Sequence, residues 1–294
     1  MPVDAQSREQ AVNSAIREIS HIATLPEITL KIIKLVESPT STAQDLHKVI
    51  ANDPALCSRI LKVVNSAFYG LPGQIGSINR AIVLLGLNAV KNIAIAASLT
   101  KLFKGGALTP NFAARDLWEH SIAVGACSKL IADHLKLAFV DEAFLSGLIH
   151  DIGVVVEIQY DRQKIIDAVT KTNSDPAGVP QRNLLECEEE VFGATHQDFG
   201  LGLCNKWKFP KSFANVTGFH HRPLEVPPEA RTLVTITAIA DRLAAGLKRP
   251  FRLDLMDLTI PTDYLDEVRI TRDAVEDIRA QLPAHMETVQ QMLT

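Results

Sequence analysis

The chain has no Cys-x-x-Cys pair. Its four cysteines, Cys57, Cys127, Cys187 and Cys204, are scattered over 294 residues, which excludes a zinc ribbon or a disulfide framework and leaves reduced, mostly core thiols. Cys187 is the one candidate nucleophile, but Glu186, Glu188, Glu189 and Glu190 beside it would raise its pKa and oppose reactivity. There is no excess of positive charge either. Thirty Lys and Arg stand against 34 Asp and Glu, for a formal net charge of -4, so no global basic surface is offered to nucleic acid or an acidic membrane. Residues 1–20 lack the apolar core of a secretory signal, and no run approaches the ~20 apolar residues of a membrane span. The expectations are a cytoplasmic protein, no nucleic acid and no membrane. No internal repeat, heptad or low-complexity tract occurs, and no segment sustains the alternation of a strand.

What the chain does have is helical periodicity. At 47% hydrophobic and 22% charged residues, it can bury a substantial core. Ile28, Ile32, Ile33 and Leu35 share one helix face, which Ser38-Pro39 ends. Ser41 or Thr42 caps a second helix, Asp53-Pro54 opens a third and Ser77 a fourth. Ala89 to Phe103 reads as a long apolar helix after Gly86, and Lys104-Gly105-Gly106 with Pro110 makes the clearest break. Beyond it, 111–135, 141–156, 184–207 and 229–247 read as helices, Asn173 to Gly178 as a surface loop, and the tail 274–294 as a helix broken at Pro283. The expectation is an all-α protein of two helical lobes, divided near 105–111.

The most unusual local feature is His150-Asp151 inside an otherwise apolar stretch, from Ala143 to Val156. A buried carboxylate without a partner costs several kcal/mol or is forced to protonate, so a compensating charge is implied, and a metal cation is the obvious candidate. His120, His196, His220-His221 and Asp241 add further donors, Asp241 within the apolar run Ile236, Ile239, Ala240, Leu243. On a helix, His150 and Asp151 would stand about 100° apart and form a chelating corner. Asp116, one turn before His120, is either an extra ligand or a helix-face partner of that histidine. His21, His47, His134 and His285 read as surface or hydrogen-bonded residues.

Imidazole with carboxylate suits transition metals better than calcium or magnesium. Five histidines and two acids exceed the needs of one tetrahedral ion. They fit two ions: the first with His120, His150, Asp151 and Asp241, the second sharing Asp151 and adding His196, His220 and His221. A metal-free hydrogen-bond network among the same residues is the structural alternative.

The order of these residues, with the words around them, resembles the HD superfamily of metal-dependent phosphohydrolases, and more closely its HDOD branch. The carrying segments include Leu25-Pro26-Glu27-Ile28, Asn52-Asp53-Pro54-Ala55-Leu56, Val64-Asn65-Ser66-Ala67-Phe68-Tyr69-Gly70, Gly147-Leu148-Ile149-His150-Asp151-Ile152-Gly153, Phe192-Gly193-Ala194-Thr195-His196 and His220-His221-Arg222-Pro223. The resemblance covers about residues 20–245, leaving an N-terminal segment (1–19) and a C-terminal extension (246–294). It implies an all-α HDOD architecture, with lobe one at about 20–108, an HD-type bundle at about 111–245, and a role in bacterial signalling.

All seven positions matching the ligands of the related cyclic-di-GMP phosphodiesterases are present. Val154, however, stands where those enzymes place a lysine, and Gly-Tyr-Pro is missing after His220-His221. Losing the lysine removes a phosphate-binding cation and proton donor. Arg115, Lys129, Lys206 and Arg222 could supply charge but read as surface cations. The expectation is a regulatory protein that binds one or two transition-metal ions, iron or manganese ahead of zinc or nickel. It would act through a protein partner or a nucleotide second messenger, with weak or no catalysis and no assigned catalytic residue. An active cyclic-dinucleotide phosphodiesterase is the alternative.

Overall fold

In a computed structural model, residues 4–19, 27–38, 40–71, 73–99, 102–103, 106–109, 112–247 and 251–293 are described. His21, Leu25, Pro26, Pro39, Lys104, Gly105 and Pro110 lie outside that set. Helix α1 (Ala5–Glu18) is followed by the first lobe: α2 (Glu27–Glu37), α3 (Ala43–Ala51), α4 (Pro54–Val64), α5 (Ile78–Leu85) and α6 (Leu87–Leu99). Its starts follow the side chains read as caps. Thr42 and Asp45 cap α3 reciprocally, Asp53 accepts from Leu56 N with Pro54 in the first turn of α4, and Ser77 accepts from Arg80 N. Asn65, just after α4, accepts from Ile75 N and donates to the carbonyls of Leu61 and Ile75, so one side chain ties the following loop. The buried Lys91 on α6 likewise donates to Leu35 O and Ser41 Oγ, joining α6 to the end of α2.

A short antiparallel hairpin, β1 (Ala107–Thr109) and β2 (Phe112–Ala113), leads into the second lobe. There follow α7 (Ala114–His134), α8 (Val140–Ile149), α9 (Ile152–Tyr160), α10 (Arg162–Lys171), α11 (Leu184–Phe192), α12 (His196–Trp207), α13 (Lys211–Phe219), α14 (Arg231–Ala244), α15 (Thr262–Val268) and α16 (Arg272–Leu293). The chain is all-α apart from that hairpin. Helix α1 packs on α9 and α12 of the second lobe, while α16 lies along α7 and touches α4. Residues on both sides of 20–245 thus pack against the bundle.

Three helices depart from the reading of the sequence. The stretch 141–156 is two helices, with His150 ending α8 and Asp151 preceding α9. The stretch 184–207 is also two, because Gly193 turns left-handed (φ 77°) and Thr195 with Asp198 caps a new helix. The C-terminal helix continues unbroken through Pro283, which is exposed. The apolar window Val140–Tyr160 has the composition of a membrane span, yet 83% of it is buried inside the fold, as a core element would be.

Two close approaches set where the site forms. A Cβ on Gly147 of α8 would lie 2.6 Å from Gly125 Cα of α7, so two glycines let these helices touch backbone to backbone. A Cβ on Gly153 of α9 would lie 1.8 Å from the His196 carbonyl oxygen of α12. The glycine of His-Asp-Ile-Gly is therefore what allows Asp151 and His196 to meet.

Candidate metal centre

Five elements deliver the seven residues. His120 comes from the middle of α7, His150 and Asp151 from the α8–α9 junction, and His196 from the first position of α12. His220 and His221 stand at the end of α13, and Asp241 on the buried face of α14. The structure brings all seven together. Six are essentially excluded from solvent, and the His221 side chain is 11% exposed.

The two oxygens of Asp151 face different groups. Oδ2 lies 3.1 Å from His150 Nε2 and 3.9 Å from His120 Nε2, and Asp241 Oδ1 closes that side at 3.0 Å from His120 Nε2 and 3.9 Å from His150 Nε2. Oδ1 lies 3.3 Å from His220 Nε2 and 3.7 Å from His196 Nε2, which in turn is 3.2 Å from His221 Nε2. The candidate ligand atoms of His120, His150 and Asp151 lie within 4.8 Å of one another, as do those of Asp151, His196, His220 and His221. Ligands held about 2.1 Å from one first-row ion stand about 3 Å apart, so these separations match a shared ion.

Most of these contacts are close without being hydrogen bonds. Both Asp151 oxygens, His150 Nε2, His220 Nε2 and Asp241 Oδ2 are buried with no hydrogen-bond partner. Native proteins rarely leave so many buried polar atoms unpaired at one place. Among the described residues no lysine or arginine pairs with these acids. Arg115 pairs with Glu119, Lys129 with Asp133 and Arg222 with Glu225, while Lys206 is exposed. The donor set fits a transition-metal cation: lone pairs converge on two points, and among the described residues no lysine or arginine supplies the positive charge.

The far sides of the imidazoles reinforce this. His150 Nδ1 donates to Gly147 O at 2.8 Å, His220 Nδ1 to Val216 O at 3.1 Å, and His196 Nδ1 to the Glu188 carboxylate at 2.9 Å. Each partner only accepts, so Nδ1 must hold the proton and the neutral ring presents Nε2 as a lone pair, the arrangement of metal-ligating histidine. Without a cation the carboxylates draw protons inward. Burial opposes charge on His150, but Asp151 and Asp241 outweigh it and raise its pKa to about 9. Burial likewise opposes charge on His196, and Glu188, Asp151 and Asp254 raise it to about 10. Burial and the neighbouring His221 and His150 push His220 down to about 3. For Asp151 and Asp241 burial favours the neutral acid, but the surrounding histidines hold both carboxyls well below the usual range.

The structure adds residues that the sequence reading did not select. Glu188 accepts from both Nδ1 and the backbone N of His196. Its signal was present, since Leu184, Cys187, Glu188 and Val191 follow helical spacing and put the acid on the apolar face. Behind it, burial and the Glu188 carboxylate raise the fully buried Glu157 well above the usual range. Asp254, from the C-terminal extension, lies 3.4 Å from His221 Nε2. Asp116 is not in the group, because its carboxylate accepts from Ala113 N at the start of α7. His47, His134 and His285 are exposed or half-buried elsewhere. Cys127, Cys187 and Cys204 are buried and free, and burial raises all three thiols, Cys204 to about 12.

If metal is loaded onto these residues, Glu188→Gln should weaken binding beside His196 about 10- to 100-fold and leave binding beside His120 unchanged. Competition with a chelator measures both, and equal affinity in wild type and variant would show that Glu188 does not orient the ligand.

The sequence matches the HDOD domain over residues 22–223, a span that ends before Asp241 and Asp254. A curated relative, an uncharacterized protein of Treponema pallidum (strain Nichols), is 25% identical over 243 residues, covering 81% of this chain, and the chain spans 45% of that protein's length. Among solved structures, an HDOD domain protein of unknown function from Geobacter sulfurreducens aligns with a TM-score of 0.69 at 23% identity, over 96% of this chain and 99% of that one. A provisionally named signal transduction protein from Marinobacter aquaeolei VT8 aligns with a TM-score of 0.76 at 19% identity, over 99% and 66% of the two chains. A provisionally named phosphohydrolase from Shewanella amazonensis SB2B gives 0.70 at 21% identity, over 95% and 98%. The likeness to the solved structures is one of fold, while the long domain match assigns the sequence: the chain belongs to the HDOD domain family.

Proposed function

We propose that this chain is a regulatory signalling protein whose second lobe holds two transition-metal ions, with weak or no hydrolytic activity. His120, His150, Asp151 and Asp241 hold the first ion. Asp151 bridges to the second, which takes His196, His220 and His221. Iron or manganese suits this histidine-and-carboxylate set, with zinc or nickel as substitutes. The observation that carries the reading is the buried, unpaired donor set around Asp151, with which no phosphate-binding lysine or arginine pairs among the described residues. Val154, where related hydrolases place a lysine, is wholly buried. The signal passes to a protein partner or comes from a nucleotide second messenger, and the protein works in the cytoplasm.

One feature favours the enzymatic alternative. A carboxylate aimed at two ions is a recurring arrangement for phosphate-ester hydrolysis, in which the ions supply Lewis acidity. The deciding experiment is metal analysis of the purified chain, followed by incubation with cyclic dinucleotides after iron or manganese loading. The regulatory reading expects close to two ions per chain and negligible turnover. Turnover that disappears in Asp151→Asn would establish the enzyme instead, and a chain that cannot be loaded with metal would overturn both.

A further inference from the structure

After α14 the chain returns over the metal centre. Residues 251–255 (Phe251-Arg252-Leu253-Asp254-Leu255) lie across it as a strap, with Phe251, Leu253, Asp254 and Leu255 all buried. Phe251 covers the His120 ring at 5.6 Å between centroids and stacks on Phe112 at 5.3 Å. The strap is tied at its centre. Leu184 N donates to Leu253 O at 2.9 Å, and Asn183 Nδ2 donates to Asp254 O at 3.1 Å while its Oδ1 caps α11 through Leu185 N.

This anchoring aims one side chain inward. Asp254 Oδ2 lies 3.4 Å from His221 Nε2 and 4.0 Å from His196 Nε2, with its side chain 1% exposed. Both of its carboxylate oxygens are buried without a hydrogen-bond partner. A carboxylate in that condition needs a positive partner, and no lysine or arginine pairs with it among the described residues. Within 4.0 Å of it stand two of the nitrogens proposed for the second ion.

We infer that Asp254 is a further ligand of the second ion, and that the strap seats this chain's own carboxylate where an external phosphate would otherwise coordinate. The inference rests on the metal-binding reading and deepens it, because a site closed by its own carboxylate exchanges oxyanions only when the strap lifts. The ligand class it excludes is that of phosphate groups, whether free or esterified. Asn183 is a positioning residue here, acting through the Asp254 backbone.

The test uses the full chain loaded with cobalt(II), with inorganic phosphate as the probe. Wild type should bind two ions and show a visible spectrum indifferent to phosphate. Asp254→Asn, nearly the same in shape, should bind the second ion at least about 10-fold more weakly, keep the first, and respond to phosphate. Asn183→Asp keeps the cap acceptor but removes the donor to Asp254 O, and should give a phosphate response with a smaller loss of affinity. Matching unfolding midpoints of the metal-free proteins show that the fold is intact, and a collapsed Asp254 variant leaves Asn183→Asp to decide. A wild type that takes two ions, with variants that bind them equally well and stay silent to phosphate, overturns the Asp254 assignment alone. A phosphate response already present in wild type overturns the closure. A wild type that takes no metal overturns the underlying reading and this inference with it.

Discussion

Asp151→Asn is expected to weaken metal at both positions together, by at least about 100-fold at each, the upper end of what losing a mere supporting partner costs. The substitution keeps the shape of the side chain and removes the charge that faces His150 and His120 through Oδ2, and His220 and His196 through Oδ1. Asp241→Asn is the comparison. Its carboxylate stands within 4 Å of His120 and His150 and makes no such close contact with His196, His220 or His221, so the first ion should suffer most. Chelator competition followed by metal analysis reads the two affinities. Equal, single-site losses in the two variants would remove the bridge from the scheme. The raised pKa values of His150 and His196 also mean that binding displaces protons from both rings, so affinities belong at one stated pH.

The second large effect is structural. Gly153→Ala should destabilise the protein by about 3 kcal/mol or more, because the added methyl meets backbone on the facing helix and no flexible side chain can yield. The built Cβ falls 1.8 Å from His196 O and 2.8 Å from Gly200 N, so relief requires α9 and α12 to separate. That separation would also draw Asp151 away from His196, and the second ion should be lost even in molecules that remain folded. Gly193→Ala provides the contrast. Nothing stands within 4 Å of its Cβ, and its left-handed φ of 77° predicts a cost of only about 1 kcal/mol. Urea unfolding midpoints separate the two cases, and equal midpoints would show that the close crossing is not what this glycine serves.

Much of the first lobe could be read directly. Thr42, Asp53 and Ser77 act locally, each accepting from a backbone N–H three residues on, so sequence spacing is enough to place them. The seven-residue constellation was legible for another reason: ionisable groups inside apolar runs must have partners wherever the runs end up. The helix break at His150-Asp151 was not legible. Residues 143–157 are buried on every side, and a pattern that is apolar all round carries no period to interrupt. The break at Gly193 was signalled by that glycine together with the Thr195–Asp198 cap, but the apolar spacing on both sides concealed it.

Asp254 marks the boundary most clearly. Nothing around it distinguishes this acid from others in the C-terminal extension until the strap is laid over His221, and the residue that fixes it there, Asn183, is 71 positions away. By itself the sequence determined that this protein is helical, where most helices begin, and that His150-Asp151 requires a positive partner, because capping, periodicity and the cost of burying charge are local properties. Only the tertiary structure decided which oxygen faces which imidazole, and that Glu188 and Asp254 come to stand beside these histidines. Those outcomes depend on backbones meeting at Gly125 with Gly147 and at Gly153 with His196, and such contacts exist only once the helices have packed.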